Sequence, residues 1–348
     1  MQFVFTQEQL MMSEMVQGFL TEHCTTADLR KLAASEGCFD QARWQGLVDL
    51  GLLGALMPEA QGGLALSGPD VVDIAQACGA ALLPEPLLNV MGVVLPALSS
   101  LGQKALIADV LAGSTHVAVS HPDARLVDGA DRASHFLIMD TDRVRLAAAA
   151  NVTLTPQPTI DPLRRLLTVT STSADVVAEG DAAAQVTNQA ADAGAFFAAA
   201  QLLGIAQKAI DISVAYACER TQFGKPIGVN QALKHHLASA QVAVEFARPV
   251  LHAASALLPG AGQATSARIS HAKIACGRAA DLATRTAIQV HGGMGYSQEA
   301  DVHLYLKRTL ALRRTFGTET HHRNRYAARL DALPFAPDTL FPQETSHA

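Results

Sequence analysis

Helical spacing of apolar residues marks the first third of the chain. After Thr6, apolar side chains recur every three or four positions from Leu10 to Phe19, which predicts an amphipathic helix capped by the Thr6 hydroxyl. Pro69 is well placed to open a further helix. We therefore predict an N-terminal helical domain over residues 1–112.

Short strand-like segments replace this pattern in the next part of the chain. They are rich in Val, Thr and Leu, are bounded by Asp, Gly or Pro, and lie at 116–120, 135–140, 144–149, 152–156 and 166–171. They predict a small β domain of five or six short strands over residues 113–185.

Helical spacing returns after residue 188, in a region rich in alanine, which favours helix. Long helices joined by short loops pack as a bundle. We predict a C-terminal four-helix bundle over residues 186–332 and an irregular tail with three prolines over 333–348. The fold class is therefore mainly α with a small β domain. The predicted helices of the bundle are 190–219, 230–258, 266–291 and 315–331.

The composition is typical of a chain with large buried surfaces, within itself or between subunits. Hydrophobic residues make up 49% of the 348 positions and charged residues 17%. A formal net charge of −6 gives no reason to expect a nucleic-acid partner. The five cysteines form no CxxC pair, which favours a reducing compartment. Without a leader-like start or a long uncharged apolar window, we expect a cytoplasmic protein and no membrane contact.

Several histidines stand next to each other, including His235–His236 and His321–His322. Adjacent residues on a helix point about 100° apart, so neither pair converges on one ion. No carboxylate or cysteine spacing completes a ligand set, and we predict no metal site.

One loop between two predicted helices carries residues suited to an anionic, aromatic ligand. Arg220 is a permanent cation that can grip a phosphate with two N–H groups. Phe223 offers a flat face for stacking, and Gln231 can hydrogen-bond a base edge or a phosphate oxygen. The alternative is an ordinary helix–loop–helix connection with a surface arginine and a core phenylalanine. Composition alone favours that alternative.

A second segment, from Gln289 to Tyr296, ends a predicted helix at paired glycines. Gly292 and Gly293 let backbone amides approach a ligand closely. The segment is not GxGxxG and follows a helix rather than a strand, so it predicts no Rossmann site. By itself it is more typical of a glycine helix stop.

Taken together, the two segments closely resemble the C-terminal domain of acyl-CoA dehydrogenases. The stretches that carry the resemblance are RTQFGKPIGVNQALKHHLA, from Arg220, and AIQVHGGMGYSQEADVHLYLKRTLALRRTFGT, ending at Thr318. PEAQGG at 58–63 is similar to an early turn of that family. The resemblance implies FAD bound at a dimer interface, transfer of the α proton of an acyl-CoA to a glutamate, and hydride transfer to the flavin. The implied product is a 2-enoyl-CoA, and the implied electron acceptor is an electron-transferring flavoprotein.

The resemblance also assigns positions to the cofactor. In such enzymes the two segments grip the adenosine diphosphate of an FAD whose flavin ring lies on the neighbouring subunit. Thr318 and Thr320 match positions just beyond the family's Tyr-Glu-Gly-Thr motif. The residues implied to grip the adenosine end are Arg220, Gln222, Phe223, Gln231, Gln289, Gly292 and Gly293.

The chain departs from the family at the base. The glutamate of the motif is replaced by Phe316, and an alternative family position on the preceding long helix falls on Gly194. Neither side chain can accept a proton, so we predict no catalytic residue. Glu319 lies three residues after Phe316, where it is either a substitute base or a first-turn acid favoured by the helix dipole.

The flavin-ring side departs as well. The segment 119–125, VSHPDAR, stands where the family carries a glycine–serine pair beside the ring, and no tryptophan-containing strand follows, because Trp44 is the single tryptophan. The predicted sheet domain is also short.

Three hypotheses follow from this pattern. The first is a non-catalytic subunit that completes the FAD site of a base-bearing subunit in a heterotetramer, similar to short subunits of bacterial steroid-degrading acyl-CoA dehydrogenases. The second is a self-sufficient homo-oligomeric dehydrogenase with a relocated base. The third is a non-catalytic flavin-binding scaffold. The sequence does not specify the acyl group.

Overall fold

Seven helices form the N-terminal part of the computed structural model, which describes residues 6–35, 37–260 and 262–332, the last three by their backbone alone. They are α1 (Gln7–His23), α2 (Thr26–Ala33), α3 (Gln41–Asp49), α4 (Gly68–Ala80), α5 (Leu87–Asn89), α6 (Leu95–Ser100) and α7 (Lys104–Leu111). The hydroxyl of Thr6 accepts the Gln9 N–H at 3.2 Å, which confirms the predicted cap of α1. The short helix α2 is not among the predicted elements.

Seven strands follow and form two small sheets. They are β1 (Val117–Ser120), β2 (Val127–Asp128), β3 (His135–Met139), β4 (Arg143–Ala148), β5 (Val152–Gln157), β6 (Leu166–Ser171) and β7 (Asp175–Glu179). One sheet has the order β1-β3-β4-β7 and the other β2-β6-β5. Among these seven strands of the described chain, β1 and β3 pair in parallel and the other pairs are antiparallel. The five predicted strands are confirmed, and β2 and β7 are additional.

The rest of the described chain is helical apart from a short hairpin. Its elements are α8 (Gly180–Glu219), β8 (Thr221–Gln222), β9 (Lys225–Pro226), α9 (Gln231–Ser255), α10 (Gln263–His291), α11 (Val302–Leu312) and α12 (Glu319–Ala332). The helix α10 contacts α8, α9, α11 and α12, so it lies at the centre of the bundle. The predicted class, mainly α with a small β domain, is confirmed. The predicted tail 333–348 lies outside the described residues.

The bundle differs from the prediction mainly in the start of α8, the presence of α11 and the start of α12, while α9 and α10 lie within about three residues of their predicted bounds. The helix α8 begins at Gly180 rather than at 190, and α11 was not predicted as a separate helix. The helix α12 begins at Glu319 rather than at 315, because Phe316 and Gly317 have φ angles of 54° and 103°, outside the helical region.

Helix α8 packs against the N-terminal helices, the sheet domain and the other helices of the bundle. By length and composition it could cross a membrane, contrary to the sequence-based expectation, but 83% of its most apolar window is buried inside the protein. A Cβ on Gly204 would overlap the backbone of Gln76, so α8 and α4 approach each other at a position that only glycine allows. The burial explains the apolar composition of α8 as that of a core helix.

Candidate cofactor and acyl site

The first candidate segment is an exposed β-hairpin at the end of α8. The Arg220 N–H donates to the Tyr216 carbonyl at 2.8 Å, and the Ile227 N–H donates back to the Arg220 carbonyl at 2.8 Å. Between them β8 and β9 pair in an antiparallel manner. Phe223 and Gly224 form the tip, both with positive φ (51° and 78°), as in a two-residue hairpin turn.

The side chain of Phe223 is 100% exposed, so the alternative that placed it in the core is wrong. A phenylalanine in the left-handed region and without cover is unfavourable within an isolated chain. Arg220, Gln222 and Gln231 are exposed as well. The hairpin therefore presents a cation, an aromatic face and amides outward, as a binding element does.

The second candidate segment ends α10. Gln289 is exposed in the last turn, and Gly292 has φ 57° and ψ −132°, a combination that favours glycine. A Cβ on Gly292 or Gly293 would meet no atom of the described chain within 4 Å. The backbone at both glycines is thus open to an approaching ligand.

A stacked pair of rings joins the two segments. Tyr216, one turn before Arg220, lies against His291, which precedes Gly292, with ring centroids 4.2 Å apart and planes tilted by 20°. The His291 Nδ1 contacts the Ala287 carbonyl at 2.7 Å, which fixes the ring. The structure therefore brings the hairpin and the glycine turn together. The exposed cation, aromatic face and open amides fit the adenosine diphosphate end of FAD, while the contacts of the individual residues with it remain predictions.

The two threonines lie elsewhere. The Thr318 hydroxyl accepts the His321 N–H at 3.3 Å and caps α12, and Thr320 is exposed in the first turn. Their neighbour Glu319 pairs with Arg278 at 2.8 Å. At a rise of ~1.5 Å per residue, Arg278 lies about 20 Å before the end of α10. One chain thus presents two separate groups of the predicted site residues.

Glu319 is the centre of a cluster of arginines. Its carboxylate pairs with Arg278 at 2.8 Å, with Arg313 at 3.4 Å and with Arg323 at 2.7 Å. It does not line the cavity beside Phe316. These contacts favour the reading of Glu319 as an ion-paired acid at the start of α12 over that of a substitute base.

The two positions at which the family carries its base meet in space. A Cβ on Gly194 would overlap the ring of Phe316, which is 9% exposed. Both residues line a cavity of about 120 Å³ between α8, the loop before α5, and the first turn after β1. A phenyl ring thus fills the volume in which a proton acceptor would have to stand.

The segment 119–125 folds back on itself beside this ring. The Asp123 N–H donates to His121 Nδ1 at 3.0 Å, so the hydrogen lies on Nε2, which donates to the Thr187 carbonyl at 3.0 Å. Burial lowers the pKa of His121 and keeps the imidazole neutral. Its ring lies 5.7 Å from that of Phe316. The polar groups of His121 are thus satisfied within the chain, so this side chain offers no free hydrogen bond to a flavin ring.

Two buried groups hold the turn that carries Phe316. The Lys273 ammonium nitrogen donates to the carbonyls of Leu312 at 2.7 Å and Thr315 at 2.8 Å, and burial lowers its pKa to about 7. His322 Nε2 donates to the Phe316 carbonyl at 2.9 Å, and burial lowers its pKa to about 3. The position of the phenyl ring is therefore enforced by the surrounding core.

Sequence reasoning did not single out His121, Tyr216, Lys273 or Arg308 as site residues. Their roles rest on contacts between distant parts of the chain, and no local motif marks them. His121, His291 and Arg308 lie within stretches that the sequence had indicated, but no role was assigned to them there.

Family models match most of the chain. The acyl-CoA dehydrogenase N-terminal domain matches over residues 6–115 and the C-terminal domain over residues 184–330. The chain is 30% identical over 303 residues to the acyl-CoA dehydrogenase IpdE2 of Mycobacterium tuberculosis, which covers 87% of this chain and 91% of that protein.

Two solved structures share the fold at low identity. A variant of the Tcur3481-Tcur3483 steroid ACAD has a TM-score of 0.84 at 23% identity, over 94% of this chain and 98% of that chain. The ChsE4-ChsE5 complex from Mycobacterium tuberculosis has a TM-score of 0.83 at 23% identity, over 96% of this chain and 100% of that chain. From the matched domain models and the identity to IpdE2, this chain belongs to the acyl-CoA dehydrogenase family.

Proposed function

We propose that this chain is the non-catalytic subunit of an FAD-dependent acyl-CoA dehydrogenase and completes the FAD site of a base-bearing partner. The observation that carries the proposal is the overlap of the Phe316 ring with the side-chain space of Gly194, which leaves no room for a proton acceptor at either position. The exposed hairpin with Phe223 at its tip supports a role toward another subunit. Neither observation supports the alternative that the chain is a self-sufficient dehydrogenase with a relocated base.

The residues of this chain act on the adenosine end of the cofactor. Arg220 neutralises and orients the phosphates, and Phe223 stacks on the adenine. The amides at Gly292 and Gly293 donate to phosphate oxygens. FAD, when bound, supplies the hydride acceptor for α,β-dehydrogenation. The base that takes the α proton belongs to the partner in this proposal.

The comparisons support the assembly and the substrate class in outline. One neighbouring structure is named as a complex of ChsE4 with ChsE5, and another as a steroid ACAD. We extend both features to this chain: a heterotetramer of two kinds of subunit, acting on a bulky acyl-CoA in lipid or steroid degradation. Electrons leave to an electron-transferring flavoprotein, and the site of action is the cytoplasm.

The test is to purify the chain alone and with a longer relative encoded nearby. We expect flavin absorbance and its bleaching by an acyl-CoA only in the co-purified sample. The variant Phe316→Glu of the lone chain is expected to stay inactive, since the ring side of the site remains closed by His121. Full flavin content and turnover by the unmodified lone chain would overturn the proposal. Flavin without turnover in either sample would favour a scaffold instead.

A further inference from the structure

A group of aromatic rings joins the N-terminal helices to the sheet domain. Trp44 lies in α3 and Phe39 just before it, while His116 lies between α7 and β1. The ring centroid of His116 is 5.4 Å from that of Phe39 and 5.2 Å from that of Trp44. We call these three residues the aromatic cluster. One of its three rings, the imidazole, can take up a proton.

His116 connects the two domains through its backbone and its ring. Its carbonyl oxygen accepts the Ser134 N–H at 2.9 Å just before β3, so its backbone is part of the sheet domain. Its ring packs on Trp44, which is fully buried among the N-terminal helices. The chain also passes close to α3 at Gly113, where a Cβ would overlap the Val48 side chain. The His116 ring is therefore a direct contact between the sheet domain and the N-terminal helices.

Arg132 is the charged group that acts most directly on His116. Its guanidinium carbon lies 4.4 Å from the centre of the Phe39 ring. Burial of the imidazole, followed by the positive charge of Arg132, lowers the pKa of His116 below its ordinary value. At neutral pH the ring is therefore uncharged and packs as an apolar group does.

The other titratable groups beside the imidazole are neutral or paired. A cavity of about 40 Å³ next to it is also lined by Cys38, Asp128 and Arg165. Burial raises the pKa of the Cys38 thiol. Asp128 pairs with Arg164 at 2.7 Å, and Arg165 pairs with Asp131 at 3.0 Å. The Asp128 carboxylate in the cavity wall is thus already neutralised.

The charges on the neighbouring elements are engaged as well. Arg43 of α3 pairs with Glu85 at 2.7 Å, and the Asp40 carboxylate accepts the Arg43 N–H at 2.9 Å. On β3, the His135 ring hydrogen-bonds with the Ser134 hydroxyl at 3.0 Å. A proton on the imidazole of the cluster would thus meet a nearby cation, while these carboxylates already have partners.

Attraction between a cation and an aromatic face acts in the opposite direction. It is weak here because neither neighbouring ring stacks on the imidazole: the ring planes are inclined by 89° for Phe39 and by 43° for Trp44. Phe39 also has the Arg132 guanidinium over its ring already, and a second positive charge beside it is repelled. Loss of hydration and this repulsion therefore outweigh the attraction, so protonation of His116 disfavours the closed contact.

We infer that the aromatic cluster is an acid-sensitive contact between the two domains. When His116 takes up a proton, its ring leaves Trp44 for water, and the sheet domain loosens from α3 while each domain stays folded. Pro84 and Pro86 line both the small cavity at this contact and the cavity beside Phe316, so the contact supports a wall that the two cavities share. The inference goes beyond the proposed function, because it requires neither flavin nor a partner subunit.

Trp44 is the single tryptophan of the chain, so its emission reports on this contact alone. The test is to record the emission of the lone full-length chain from about pH 8 to about pH 4.5, with far-ultraviolet circular dichroism of the same samples. We expect a red shift with a midpoint below about 6.5, the ordinary pKa of histidine, while the helical signal is retained. An unchanged spectrum, a midpoint above that value, or a red shift that coincides with loss of the helical signal would overturn the inference.

Three variants assign the transition to a residue. His116→Phe keeps an aromatic ring that cannot be protonated, and it should abolish the red shift. Arg132→Met removes the neighbouring cation and should raise the midpoint by about 0.5–1 pH unit. His135→Phe replaces the nearby histidine on β3 and is the matched control, which should leave the midpoint unchanged. A red shift that persists in His116→Phe, disappears in His135→Phe, or keeps its midpoint in Arg132→Met would contradict the inference.

Discussion

The ring of Phe316 lies in the space that a side chain at position 194 would need. Phe316 also holds a left-handed backbone conformation, with φ 54°, which costs a phenylalanine roughly 1–2 kcal/mol. His322 and Lys273 bind the carbonyls of this turn and so hold it in place. At the scale of single residues, Phe316 stands at the position of the family's glutamate, and the surrounding core holds the phenyl ring there.

The first prediction concerns Gly194. Gly194→Ala is expected to destabilise the chain by about 1–3 kcal/mol, because the new methyl group overlaps the Phe316 ring. Adding Phe316→Ala makes room, so the double variant should cost less than the sum of the single ones. The measurement is the free energy of unfolding from urea titration.

A matched control lies on α10. A Cβ on Gly277 would meet Arg313 at an ordinary 3.7 Å, so Gly277→Ala should stabilise by up to about 1 kcal/mol through helix propensity. Additive costs for Gly194→Ala and Phe316→Ala would show that the two positions do not share one space.

The second prediction concerns the pH dependence that Lys273 creates. Burial lowers its folded pKa to about 7, whereas an unfolded lysine titrates near about 10.4. Between these values the unfolded chain holds a proton that the folded chain has released, so the free energy of unfolding rises with pH. Below about pH 7 the penalty for a buried ammonium is fully present.

The variant Lys273→Met isolates this effect, because all other titrating groups are shared. The free energy of unfolding of the unmodified chain, relative to this variant, should increase by a few kcal/mol at most from about pH 7 to about pH 10. Urea titrations at several pH values measure it. A difference between the two proteins that stays constant over this range would contradict a depressed pKa.

At the scale of elements, the hairpin β8–β9 leaves its tip uncovered by the described part of the chain. Its tip holds Phe223 fully exposed and at φ 51°. The stack of Tyr216 on His291 places its base against the glycine turn at the end of α10. The hairpin therefore has a rigid base and an uncovered tip.

The third prediction concerns Phe223→Gly. In the lone chain it should leave the free energy of unfolding unchanged or raise it by up to about 1 kcal/mol, since no packing is lost and the left-handed backbone suits glycine. In the co-purified complex it should lower the flavin content, because the stacking face is gone. Phe223→Trp keeps an aromatic face and should retain the flavin. A large loss of stability in the lone chain would show that Phe223 packs within it.

Helices and strands with a clear apolar period were predictable from the sequence. The residues at which they begin and end were harder to predict. The helix α8 begins ten residues before the predicted 190 because its first turns are largely polar and half exposed, with little apolar period. The bounds of α12 depend on two positive φ angles, which only the Gly317 signal suggests. The glycine turn was predicted from its paired glycines, whereas the hairpin β8–β9 was predicted only as a loop between two helices.

The site was predictable in parts, because a sequence lists residues but not the contacts between distant ones. Neither spacing nor composition indicates that Phe316 fills the space beside Gly194, or that Tyr216 stacks on His291. The closed segment around His121 could be suspected from a missing glycine–serine pair, but its hydrogen bonds depend on Thr187 of α8. Contacts between distant parts of the chain therefore determine that the hairpin and glycine turn are exposed and that the space around Phe316 and His121 is filled.

At the scale of the whole molecule, the open and closed halves determine how many cofactors an assembly can hold. The segments proposed to bind adenosine face outward, while His121 and Phe316 lie against each other on the side proposed for the flavin ring. In the proposed pairing, the partner contributes a ring pocket and a base. One pair of unlike subunits then contains a single complete FAD site.

The last prediction is therefore one FAD per pair of subunits in the purified complex. The measurement is the ratio of flavin, released by denaturation, to protein determined for each subunit. Arg220→Met should lower this ratio, because the phosphates lose their cation. Arg143→Met is the matched control, since Arg143 is an exposed, ion-paired arginine on β4 of the sheet domain, and it should leave the ratio unchanged. Two flavins per pair would mean that this chain also accommodates a flavin ring, which contradicts the closed segment around His121.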